Sequence, residues 1–89
     1  ADPALSYDVE DAGKRFKITI NAKAFAKGVC LDLTEGDCLF SDNWFDMHGG
    51  SVTVYASKAN LPEKITAKKF KEILSVVSYY EALHLSGKE

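Results

Sequence analysis

From Arg15 the chain alternates. Phe16, Ile18 and Ile20 fall on one side, and Lys17, Thr19 and Asn21 on the other. That period of two is the signature of a half-buried β-strand. Asp11-Ala12-Gly13-Lys14 before it reads as a turn, so Leu5 to Val9 is expected to be its partner strand. Lys27 to Thr34 repeats the pattern, with Val29, Leu31 and Leu33 directed inward. Glu35-Gly36-Asp37 then turns the chain, and Cys38 to Phe40 returns. Gly49-Gly50 closes an aromatic loop. Ser51 to Ala56 is again β-rich, with Val52 and Val54 on one face and Thr53 and Tyr55 on the other.

Asn60-Leu61-Pro62 interrupts this run of strands. Thr66 to Ile73 reads as a short helix with Thr66 as N-cap and Phe70 and Ile73 as its apolar stripe. Leu74 to Tyr80 is β-rich and closes the fold. About six or seven short strands between Gly, Asp and Asn turns predict an all-β protein, an immunoglobulin-like antiparallel β-sandwich with one short helix before the last strand. The Cys…Trp…Cys spacing of antibody domains is absent, so the likeness is one of architecture. Residues 5–83 make the domain. Residues 1–4 read as a linker or artificial remnant, and residues 84–89 as a polar tail.

Composition narrows the function. Eighty-nine residues make one domain with one modest core. Eleven basic residues against thirteen acidic ones, a net charge of −2, supply no field to gather phosphates, so nucleic acid is not an expected partner. No apolar run has the length of a membrane span. Cys30 lies on the face opposite Val29, Leu31 and Leu33, whereas Cys38 shares parity with Phe40. A disulfide is therefore not expected, and free thiols favour a reducing compartment such as the cytoplasm. The two cysteines and the distant His48 and His84 do not have zinc-finger spacing, and no metal or cofactor is expected.

The chemistry-bearing candidates concentrate in Phe40-Ser41-Asp42-Asn43-Trp44-Phe45-Asp46-Met47. Asp42 and Asp46 form the only carboxylate pair in an aromatic setting, the raw material of a glycosidase centre. A sandwich this small leaves little surface for an enclosed cleft. The expected role of Asp42, Asn43 and Asp46 is therefore to shape the loop by bonding to backbone amides. Asp8, Glu10 and Asp11 read as a solvated face. So do Lys58, Lys64, Lys68, Lys69 and Lys71, partly offset by Glu63 and Glu72. No Ser or Cys has a neighbouring His to act as base. Phe16, Phe25, Phe40, Phe45 and Phe70 are expected in the core, and Trp44, Met47 and His48 at the rim. Trp44, Tyr55, Tyr79 and Tyr80 are the candidates for stacking on a sugar ring.

The eight-residue run, a following Gly and the strand Ser51-Val52-Thr53-Val54 resemble a signature near the end of family 2 glycoside hydrolase β-mannosidases, F-S-D-N-aromatic-F-D-L-x-x-G. The segments Asp8 to Ile20, Ala26 to Leu33 and Ile65 to Tyr80 resemble strands and the helical turn of the same C-terminal immunoglobulin-like domain. The likeness extends from Leu5 to Leu83. Trp44 stands where Tyr or Phe is usual, and Met47-His48-Gly49-Gly50 replaces a Leu-Leu-Pro-Gly-Glu type of turn. In that family the catalytic carboxylates lie on a preceding (β/α)8 barrel, which no segment here resembles, so no catalytic residue carries over. The resemblance implies a non-catalytic accessory domain of a retaining exo-glycosidase acting on β-mannosides. Its partners would be the other domains of the parent enzyme, met through Phe40, Asp42, Asn43, Trp44, Phe45, Asp46, Met47 and His48. The alternative is a carbohydrate-binding module.

Overall fold

The computed structural model describes residues 5–78. The proposed remnant, Tyr79, Tyr80, the end of the last strand and the polar tail lie outside them. Within them the chain forms strands β1 (Ser6–Asp11), β2 (Arg15–Leu33) and β3 (Phe45–Ser57), helix α1 (Ala67–Ile73) and strand β4 (Leu74–Ser78). All pairings are antiparallel. β2 is central: one edge carries β3 from Arg15 to Val29, and the other carries β1 at Phe16–Asn21 and then β4 at Val29–Leu33.

Four strands thus replace the six or seven read from the sequence: Cys38 to Phe40 forms only an isolated bridge, β3 runs through the expected aromatic loop back to Phe45, and the two strands expected at Arg15–Asn21 and Lys27–Thr34 are one. What lies between those two is a pair of bulges. The β2–β3 register shifts between Ala22 and Phe25 and again between Ala26 and Val29. Each bulge adds a residue to β2 and sharpens its bend, and across the second the inward parity of β2 changes from even (Phe16 to Ala26) to odd (Val29 to Leu33). Gly28, with φ of 63°, sits in the second bulge. Gly49 and Gly50, at φ of 90° and 78°, sit in β3 opposite the first, so they bend a strand rather than close a loop. A straight strand of this length would reach about 60 Å at roughly 3.3 Å per residue. The longest dimension of the protein is 42 Å, so the sheet must fold back.

The segment after β2 shows how it folds back. Cys38 to Phe40 does not return beside β2. Phe40 bridges to Ala56 on the outer edge of β3, the Ser57 N–H donates to Leu39 O at 2.9 Å, and the Ser41 N–H donates to Tyr55 O at 2.7 Å. Two residues later Asn43 is bonded to Leu31 at the far end of β2. Two residues span at most about 7 Å. The two ends of the bent sheet therefore lie opposite one another, and residues 39–43 strap them together.

One core fills the space between. Phe16, Ile18, Ile20, Val54 and Ala56 from one end of the sheet join Val29, Leu31, Leu33, Leu74 and Val76 from the other. The alternation expected of β2 thus holds at both ends, and Val52 packs against the same cluster. Helix α1 seals it. Thr66 caps the helix by accepting from the Lys69 N–H at 3.1 Å, and Phe70 and Ile73 form the buried stripe. The Phe70 ring stacks on Phe16 at 4.6 Å between centroids. Tyr7 Oη donates to Leu74 O at 2.8 Å and Lys71 Nζ meets Asp8 at 3.0 Å, tying β1 to the C-terminal elements.

Two aromatic-loop assignments are corrected. Met47 is 2% exposed and belongs to the core rather than the rim. Phe25 is 50% exposed, with its ring against His48 at 5.1 Å. Phe25 keeps the outward, odd parity that β2 holds up to Ala26, whereas in β3 the inward parity changes across Gly49-Gly50, from Val54 and Ala56 to Met47, which pairs with Ala26. Phe40 and Phe45 pack against the core with part of each ring exposed.

Candidate functional site

The polar residues of the strap are occupied with backbone. Ser41 Oγ accepts from the Tyr55 N–H at 2.9 Å. Asp42 Oδ1 accepts from the Asn43 N–H at 2.8 Å. Asn43 Oδ1 accepts from the Leu31 N–H at 2.7 Å and the Trp44 N–H at 3.0 Å, while its Nδ2 donates to Leu31 O at 2.9 Å. Asp46 Oδ1 accepts from the Gly28 N–H at 2.8 Å.

The positions explain the residue types. Val29 pairs with Phe45, and two residues further along the same register Leu31 faces Asn43. The Asn43 side-chain amide has the donor and acceptor of a peptide group, and it continues the β2–β3 ladder by one step after the backbone has turned away. Only Asn or Gln carries both groups. At Gly28 the bulge frees an amide from the ladder, and the Asp46 carboxylate takes it. Asp42 and Asp46 therefore act on backbone at two separate places, and no cleft draws them together.

Trp44 is where the backbone turns. Its φ of 56° makes it the only described non-glycine residue in the left-handed region, a conformation that costs an L-residue roughly 1–2 kcal/mol. The Asn43 acceptor on its N–H helps hold it there. The indole projects outward, 62% exposed, and Leu39, on the same strap, is 69% exposed. The strap thus carries two exposed large apolar residues close together in sequence, one of them in a strained conformation.

The other candidates separate from it. Tyr55 lies beside the strap, but the Arg15 guanidinium covers its ring at 3.8 Å, leaving one face fewer for a sugar. Tyr79 lies outside the described residues. His48 is exposed and paired with Phe25 at the bend. A depression of about 320 Å³ between Arg15, Leu39, Phe40 and Tyr55 adjoins the strap. A larger groove of about 540 Å³ lies beyond the helix, between Leu61, Pro62, Ile65 and Ile73, with Lys69 and Glu35 3.8 Å apart at its rim. Neither holds a nucleophile beside a base. Among the described residues no group of His, Cys, Asp and Glu could hold a metal ion.

Both cysteines are free. Cys30 lies off the core face and Cys38 packs against the core. Burial and the neighbouring Asp37 and Asp32 push the Cys38 thiol up to about 11, and burial and Asp32 raise Cys30 as well. Thiols held protonated are poor nucleophiles. Sequence reasoning singled out Phe40 to His48 and did not foresee the exposure of Leu39 or the backbone partners Gly28 and Leu31. A glycine inside a strand pattern was the available signal for the bulge amide that Asp46 serves.

The described residues make one small all-β domain and include no catalytic barrel. No curated protein matches the chain. A family model described as Ig_mannosidase, an Ig-fold domain, matches residues 1–82, almost the full length and in keeping with the resemblance carried by the strap. With this antiparallel architecture and this match, the chain belongs to the immunoglobulin-fold domain family of mannosidases.

Proposed function

We propose that this chain is a non-catalytic accessory domain of a β-mannosidase-like glycoside hydrolase, and that it packs its strap face against the catalytic part of that enzyme. The observation that carries the reading is Trp44, exposed and held in a left-handed conformation by Asn43. Covering the exposed part of a tryptophan, on the order of 120 Å², is worth about 3 kcal/mol at roughly 25 cal/mol per Å². That exceeds the strain of presenting it. The carboxylates of the strap serve backbone amides, which fits support rather than chemistry.

The test compares Trp44→Ala in the isolated domain and in a mannosidase that contains it. The isolated domain should keep its thermal midpoint within about 2 °C, since an exposed side chain contributes little to folding. The larger enzyme should lose several degrees and part of its activity. Affinity electrophoresis in mannan tests the alternative. Retardation of the isolated domain that disappears with Trp44→Ala would replace the docking reading with a sugar-binding module.

A further inference from the structure

The outer edge of β3 is open. Tyr55 turns its N–H and C=O away from β2, toward Ser41 of the strap. By the alternation of an antiparallel ladder, Thr53 and Ser51 direct theirs the same way. Among the described residues, nothing pairs with this edge between Asp46 and Val54. Natural edges are blunted by charge, proline or cover. β1 has Asp8, Glu10 and Asp11. Residues 47–57 of β3 contain no Asp, Glu, Lys, Arg or Pro, and from Ser51 to Tyr55 they run Ser-Val-Thr-Val-Tyr.

We infer that this edge pairs with the same edge of a second copy of the chain, antiparallel about a twofold axis at Val52. The sequence suits that symmetry. With Val52 opposite Val52, Thr53 of each copy meets Ser51 of the other, and these are the residues whose N–H and C=O point outward. Each such pair exchanges both backbone hydrogen bonds, and the twofold repeats the exchange. Ser51 and Thr53 are exposed and small, and no charge meets its own image across the axis. Val52, only partly buried in one copy, gains an apolar neighbour on the core side. The strap at Tyr55 bounds the contact at one end and the Gly49-Gly50 bend bounds it at the other, so the seam is short and the dimer weak.

Sedimentation equilibrium of the 89-residue chain tests this. Average mass should rise toward that of a dimer between about 10 µM and 1 mM, as for a small transient interface. Over the same range, hydrogen exchange at the Ser51 and Thr53 amides should slow at least tenfold. Thr53→Pro removes only an outward-facing N–H and spares the bonds to β2. Thr53→Lys places like charges across the axis. Both should stay monomeric with the native circular-dichroism spectrum; if the proline variant does not fold, the lysine variant decides. Trp44→Ala should leave the dimer intact. A wild type that stays monomeric at 1 mM would refute the inference, and so would a dimer that Trp44→Ala abolishes and Thr53→Lys does not.

Discussion

Asn43→Ala isolates what the strap contributes to folding. The substitution deletes an acceptor and a donor that together satisfy both backbone groups of Leu31, a residue 2% exposed. It also removes the acceptor at the Trp44 N–H. A buried polar group left without a partner costs about 1–3 kcal/mol. Two such groups, at a half-buried site that water partly reaches, give a loss of about 2–4 kcal/mol. In urea, with a slope of about 1 kcal/mol per M for so small a domain, the midpoint should fall by roughly 2–4 M. On heating it should fall by more than about 10 °C. Both are read by circular dichroism. Asn43→Asp keeps the acceptor, places a charge against Leu31 O and should recover little. Asp42→Ala is the control: its single exposed bond should cost no more than about 1 kcal/mol. If Asn43→Ala costs no more than Asp42→Ala, then the side chain is not standing in for a peptide group and the account of the strap is wrong.

Further outcomes follow from the core and the thiols. Ile18→Ala and Met47→Ala should each cost about 2–5 kcal/mol; a methionine at the rim would cost under about 0.5, so urea titration of Met47→Ala checks the inward turn directly. Intact mass after alkylation under non-reducing, denaturing conditions should show both cysteines modified, whereas a species lighter by two protons and resistant to reagent would mean a disulfide. In the native protein, maleimide should react slowly at pH 7, Cys38 slowest. Because its folded-state thiol is raised from 9.0 to about 11, folding stability should be intact below pH 9 and decline as pH rises toward 11, measured as the urea midpoint against pH.

Alternation was reliable wherever a strand ran straight. Phe16, Ile18 and Ile20, and separately Val29, Leu31 and Leu33, are buried as their spacing requires. The helix starts at Thr66 because its hydroxyl caps Lys69, a local interaction that local sequence can announce. What could not be read was how the two well-predicted runs connect. Gly28 and Gly49-Gly50 carry the residue preferences of turns, and a bulge uses the same left-handed glycine, so sequence alone does not separate them. The error then propagated. With a loop assumed at Gly49-Gly50, Met47 had no reason to face inward, and with the first strand ended at Asn21 its alternation was not carried on to Phe25. The pairing of Cys38–Phe40 with β3 instead of β2 was likewise hidden, because it depends on a non-local crossing. The loop-shaping role of Asp42 and Asn43 was visible in their chemistry, but that Asn43 completes a ladder was visible only in the register.

Trp44 is the chain's only tryptophan, and it is 62% exposed. Its emission in the isolated domain is therefore the baseline against which any further covering of the residue can be read. The same property makes it a built-in reporter of contact: a blue shift and protection from iodide quenching would signal that the strap face has been covered while the domain stays folded.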